Sequence, residues 1–264
     1  MYFIFLYIIA GLGAGIVTGL AGLSAAVVIT PLLVSLGGMD SYDVVAIALS
    51  SDVLASAISA FTYYKNKNID IKRGLLIMGP AFLFTVIGSY VGYRFSLESP
   101  DGIGLYSIIA TTYLGLKFIF MPITKEKTDA MRHHRKWVQI LLSIGSGVVI
   151  GIICGFAGAG GGAMMLFALT VLLAYDLKTA VGTSTMIMAI IALTGGVSHY
   201  MMGGSLNITA LLICIIFTVI GALWAAQFAN KCEEKKLNRT VGILLTILGV
   251  VTLVIKLLPE NLNI

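Results

Sequence analysis

The sequence predicts an all-α polytopic membrane protein built from two inverted repeats, each holding a Gly-broken or re-entrant helix pair and about three full spans. Three observations lead there. First, 58% of the 264 residues are hydrophobic and only 11% are charged, against about 25% charged in soluble domains. Second, apolar stretches of bilayer-crossing length follow one another almost end to end, and the mean hydropathy is +1.00. Third, the chain echoes itself. Residues 11–22 return at 147–158, with Gly11, Gly15, Gly19 and Gly22 reappearing 136 positions later as Gly147, Gly151, Gly155 and Gly158. The pentapeptide Phe84–Gly88 likewise recurs unchanged as Phe217–Gly221. Internal duplication in an apolar chain points to secondary transport, in which two halves rock about a central site.

The first repeat is assigned to 1–121, a basic cytoplasmic linker to 122–136 and the second repeat to 137–264. Segment 2–20 lacks the positively charged start of a secretory signal and belongs to the duplicated unit, so it reads as mature helix. Gly-rich stretches at 19–26 and 155–163 interrupt the first two segments of each half, because clustered glycine destabilises a helix. The segments that follow, 25–38 and 160–174, fall short of the roughly 20 residues a crossing needs. They read as half-helices or re-entrant segments. Segments 44–64, 73–94 and 102–121, and their counterparts 179–201, 207–229 and 240–257, are long enough to span, as is 137–155 with its flanks.

Loop charge sets the topology. If each Gly-rich pair enters the membrane and returns, loops 65–73, 122–136, 175–178 and 230–239 share a face and carry 14 of the 17 Lys and Arg. The positive-inside rule makes that face cytoplasmic and puts both termini outside. The odd number of crossings per half then makes the two repeats opposite in orientation. The net charge of +5 is explained by these loops; with no aromatic-interleaved basic face, no nucleic-acid partner is expected. Cys154, Cys214 and Cys232 form no CxxC or Cys/His cluster, so neither a disulfide framework, a metal site nor any cofactor is indicated.

The candidate site follows from the breaks. Freed backbone inside a bilayer survives only against protein or a wet cavity. Amides at the start of the following half-helix can hold an anion without lysine or arginine. That places substrate binding at Gly22, Leu23 and Ser24 and at Gly158, Gly160, Gly161 and Gly162. Close helix packing is the simpler role for the glycines spaced four apart. Hydroxyls at Ser50, Ser51, Thr183 and Ser184 follow the two breaks and would complete the binding, Ala46–Ser51 being aligned with Ala180–Thr185 across a two-residue gap. Asp52 is a carboxylate inside an apolar segment without a nearby base, the pattern of a coupling residue on a proton or ion pathway. Tyr63, His199 and Tyr200 are candidate gate or relay groups, with Tyr63 aligned to Tyr200. Lys117 lies about a turn from the basic linker and reads as a snorkelling side chain.

With these residues in view, the chain resembles the sulfite exporter TauE/SafE family of membrane permeases. The resemblance rests on Gly155–Gly162, on Gly182–Ser184, on Pro31 after the first break and on the basic central linker. It implies a multi-pass plasma-membrane transporter of small anions, with sulfite and organosulfonates such as sulfoacetate as the better-known cargo, usually exported. Leu23–Ala26, where the family tends to glycine, Leu49 opposite Thr183, and Phe167 opposite Pro31 depart from the pattern.

The resulting expectation is a secondary active carrier, with the lipid bilayer, a small anion and protons as coupling ion for partners. The alternative is a passive anion channel of the same architecture. An enzyme is not expected. Ser184 and His199 are 15 residues apart on one helix, roughly 22 Å, too far for nucleophile activation.

Overall fold

The computed structural model describes residues 2–99, 102–120, 136–158, 161–173 and 175–257. Helices α1 (Tyr2–Ala21), α2 (Ala26–Ser35), α3 (Ser41–Lys65), α4 (Ile71–Glu98) and α5 (Gly102–Phe120) form the first half. The second half holds α6 (Lys136–Ala157), α7 (Gly161–Phe167) running into a π turn (Ala168–Leu172), α8 (Leu177–Met201), α9 (Ile208–Lys231) and α10 (Glu234–Leu257). No strand occurs among the described residues. Six helices, α1, α3, α4, α6, α8 and α9, have the length and apolarity to cross a membrane. The short helices α2 and α7 follow the two expected breaks.

Side-chain caps fix the helix starts. Asp40 accepts from the amides of Tyr42 and Asp43, Asp70 from Arg73, Asp176 from Thr179 and Asn207 from Ala210. The caps at Asp40 and Asp176 make α3 and α8 equally long, each 25 residues, and 136 positions apart. No gap therefore fits between the halves at this point. Ser184 matches Ala48 rather than Ser50, and Tyr63 matches His199 rather than Tyr200, which corrects both sequence-based alignments.

Packing partners exchange between the halves. Helix α1 packs on α9, α6 packs on α4, α3 pairs with α8 and α5 with α10. The repeated glycines lie at these seams, where backbone meets backbone. A Cβ on Gly11 would sit 3.0 Å from the Cys214 carbonyl oxygen, and one on Gly147 would meet the carbonyl of Ile77. Gly15 faces the Thr218 carbonyl as Gly151 faces that of Ala81; Gly19 faces Ala222 as Gly155 faces Thr85. The partners are 137 positions apart, as are the caps Asp70 and Asn207. The identical pentapeptides Phe84–Gly88 and Phe217–Gly221 are 133 apart. They therefore occupy places one helical turn out of step, equal in sequence but not in packing register.

Three basic loops meet at one end of the bundle. Asn68 Nδ2 donates to Asn230 Oδ1 at 2.8 Å, and Lys178 Nζ donates to the Asn230 carbonyl at 2.8 Å. Tyr175 donates its hydroxyl to Asp70 Oδ2 at 2.6 Å, and Arg73 lies over the Tyr175 ring. Burial first, and then the Asp70 side chain, raise the Tyr175 pKa above the usual phenol range. The opposite end gathers Tyr2 against Leu36, Tyr7 against Met39, Asp43 against Ser205 and Tyr93 against Gly203. The α1–α2 pair thus starts and finishes at the same end. Linker residues 122–135 and the side chain of Lys117 lie outside the described residues.

The seams make a stability prediction. Gly15→Ala and Gly155→Ala each force a methyl into carbonyl backbone and should cost about 1–3 kcal/mol. Gly79→Ala and Gly145→Ala, whose Cβ positions are open, should leave thermal unfolding in detergent unchanged or slightly raised. A topology prediction accompanies it. In a cysteine-free background, Lys67→Cys and Lys236→Cys should react with an impermeant maleimide from one face, and Ser205→Cys only from the other.

Candidate functional site

Each break begins where a helix ends on a left-handed glycine. Gly22 and Gly158 both have φ +64°, the conformation that closes a helix C-terminus and that a Cβ disfavours. Their amides still bond back into the preceding turn, to the carbonyls of Thr18 and Cys154, at 2.8 Å each. Helices α2 and α7 begin at Ala26 and Gly161.

The two breaks touch. A Cβ on Gly162 would lie 2.6 Å from the Ser24 nitrogen and 2.8 Å from the Leu23 Cα, and one on Gly158 would lie 2.8 Å from the Ala26 Cβ. A Cβ on Gly161 would meet Cys154 at 2.7 Å. Leu23, Ser24, Ala25 and Ala26 are completely buried. These stretches are thus neither continuous helix nor turned to lipid. Gly160 lies outside the described residues.

The hydroxyls divide among different tasks. Ser184 donates to the Gly22 carbonyl at 3.2 Å and to Val181 at 2.8 Å, tying α8 to the first break. Thr183 instead accepts from the Asp70 amide at 3.0 Å and so holds the α3–α4 loop. Ser51 returns its proton to the Ile47 carbonyl within its own helix. Ser50 stands against Gly196, with its Oγ 2.9 Å from the Cβ position there. Of the four, Ser184 is the one bonded to a break.

Asp52 is fully buried and sits at the first break. Its Oδ1 accepts from Ser56 Oγ at 2.8 Å and, at the limit of a hydrogen bond, from Thr18 Oγ1 at 3.5 Å. The Ser24 hydroxyl and the Ala25 amide, at the start of α2, also act on this carboxyl. They do not close a bond to Oδ2, which has no hydrogen-bond partner among the described residues. No Lys, Arg or His among the described residues pairs with it. The structure thus joins two features that the sequence presents separately, a carboxylate and a helix start. Thr18 and Ser56 complete the group. Ser56 is one turn from Asp52 and Thr18 one turn before Gly22, the spacing by which both could be recognised.

The gate candidates separate. Tyr63, wholly buried, donates to the Gly19 carbonyl at 3.0 Å and so serves the last turn of α1. It closes a stripe of Asp52, Ser56, Ser59 and Tyr63 on one face of α3, all buried. His199 lies at the other end, stacked on Tyr42 with ring centroids 4.4 Å apart, its Nδ1 2.9 Å from the Gly195 carbonyl. The His199 Nε2 and the Tyr200 hydroxyl close no hydrogen bond among the described residues.

Comparison with known proteins agrees with this architecture. The sequence profile described as "Sulfite exporter TauE/SafE" matches residues 7–252. The chain is 30% identical over 258 residues to "Probable membrane transporter protein YunE" of Bacillus subtilis, covering 92% of this chain and 94% of that protein. It is 23% identical over 239 residues to "Probable membrane transporter protein YdhB" of the same organism, covering 90% and 96%.

The breaks yield a prediction that separates backbone freedom from space. Gly38 shares the left-handed conformation but has nothing near its Cβ position. Gly38→Ala should cost about 1 kcal/mol. Gly22→Ala carries the same strain and also meets Ser184 and Val181, so it should cost about 1–3 kcal/mol more in thermal or denaturant unfolding.

Proposed function

The chain belongs to the sulfite exporter TauE/SafE family and is a membrane transporter, and we propose that it is a secondary active carrier of small sulfur or organic oxyanions. Sulfite and organosulfonates are the leading cargo and export the leading direction. The two halves are inverted relative to each other, the basic loops face the cytoplasm, and both termini lie outside.

One observation supports this reading above the others: two helix breaks meet, with buried Gly158 and Gly162 of the second lying against buried Ala26 and the buried Leu23–Ser24 backbone of the first. Such backbone inside a membrane is tolerated where it serves a site. The anion is held by the α2 start around Gly22–Ser24, with the stretch Gly158–Gly162 opposite and Ser184 beside it. In the conformation described the breaks are in contact, so binding requires them to part. In that conformation Ser51 and Thr183 are bonded to the Ile47 carbonyl and the Asp70 amide, and Ser50 stands against Gly196.

Asp52 favours a coupled carrier over a passive channel. A bare carboxylate beside the anion path opposes free conduction of anions, whereas a carboxyl that gains and loses a proton can link cargo to a gradient.

Purified protein should show a thermal shift with at least one of sulfite, simple sulfonates, thiosulfate and short carboxylates. Reconstituted Asp52→Asn should bind that anion but lose gradient-driven flux. Concentrative transport retained by the variant would remove Asp52 from the coupling, and downhill flux without saturation in the wild type would favour the channel.

A further inference from the structure

We propose that the Asp52 carboxyl and the cargo anion compete for the same backbone, so that an anion binds only when Asp52 is protonated and each anion bound takes up one proton. The inference rests on the transport reading above and names its coupling.

The geometry carries it. Asp52 is fully buried at the start of the ten-residue helix α2, its Oδ1 held by Ser56 and Thr18 and its Oδ2 bonded to no described residue, with Ser24 and the N-cap residue Ala25 within its electrostatic reach. Among the described residues, the following groups face Asp52. Helix α1 gives Thr18, the break gives Ser24 and Ala25, α3 gives Ser56, and α6 brings the Cys154 thiol within electrostatic range. None is a base or a fixed cation. An ionised Asp52 therefore draws its stabilisation from the same N–H and O–H donors that would hold a cargo anion. Two negative charges on one set of donors in a dry interior repel strongly.

Protonation resolves the conflict. A neutral carboxyl releases the Thr18, Ser24 and Ser56 hydroxyls and the Ala25 amide, and it adds an O–H donor of its own. The Oδ2 atom, buried without a partner, is positioned to carry that proton. Ser59, whose hydroxyl also lacks a partner, and Tyr63 continue the stripe toward the basic end and offer the proton a path from water.

The stoichiometry follows from the asymmetry of the halves. Position for position, the α8 counterparts of Asp52, Ser56 and Ser59 are Met188, Ala192 and Gly195, all buried and none ionisable. Among the described residues Asp52 is the one carboxyl at the paired breaks, hence one proton.

Calorimetry on the full-length protein in detergent tests this with ethanesulfonate, an anion whose own charge is constant over the range. Binding enthalpies compared between phosphate and Tris should reveal uptake of one proton per anion. Over the range in which Asp52 titrates, Kd should weaken about tenfold per pH unit as pH rises. Asp52→Asn should bind with a pH-independent Kd and no proton uptake, and Asp52→Glu should restore the uptake with a displaced pH profile. If the Asn variant does not fold, the wild-type and Glu profiles decide. Wild-type binding without proton uptake at any pH, proton uptake retained by Asp52→Asn, or affinity set by sodium at fixed pH would overturn the linkage alone. Failure of ethanesulfonate, sulfite and short carboxylates to bind at any pH would overturn the carrier reading and the linkage with it.

Discussion

Backbone that leaves a helix inside a membrane has no water to turn to, so each freed N–H and C=O must find a partner within the protein. The first break meets that demand with side chains from the two central helices. Tyr63 of α3 answers the Gly19 carbonyl and Ser184 of α8 answers the Gly22 carbonyl, while Asp52 of α3 lies beside the start of α2 and holds Thr18 of α1. Tyr63 of α3 and Ser184 of α8 thus answer to the break. Without it, a buried carboxylate and hydroxyls at these positions would be unexplained in helices that are otherwise apolar.

The second break satisfies the same demand differently. Its Gly158 amide bonds back to Cys154, while the glycine itself rests against Ala26, Val45 and Leu49. Here glycine works mainly by leaving space: Gly161 fits against Cys154, and Gly162 fits against the Ser24 backbone. The richer glycine run therefore marks the closer contact. The richer polar chemistry lies in the other half, around Asp52. The two halves thus place different residues around similar helix breaks.

That division explains what could be read from the chain. The breaks, the short helices after them and the spanning segments were legible because glycine clustering and hydropathy act locally. The convergence of the basic loops was legible too, because charge is excluded from the bilayer wherever the chain folds. Equivalence between the halves was harder. The repeated pentapeptides share letters but differ by a turn in packing register, and the hydroxyl clusters were aligned with a gap that the caps at Asp40 and Asp176 do not permit. Identity of residues says nothing of which helix face they occupy. For the same reason Thr18 and Ser56 gave no signal as a pair: they meet at Asp52 only once α1 lies on α3.

The glycine seams also define which parts can move together. Helix α1 is locked to α9 and α6 to α4 by backbone contacts that tolerate no added methyl. Each locked pair takes one helix from either half of the sequence, so the sequence repeats are not the packing units. The contact between the breaks, Gly162 against Leu23 and Ser24, joins segments attached to different locked pairs, α7 following α6 and α2 following α1. There Gly162 meets the Leu23 and Ser24 backbone, and Gly158 rests against the Ala26 methyl. Any motion that opens the site while keeping the seams intact must therefore part at this junction, which is where Asp52 meets the start of α2.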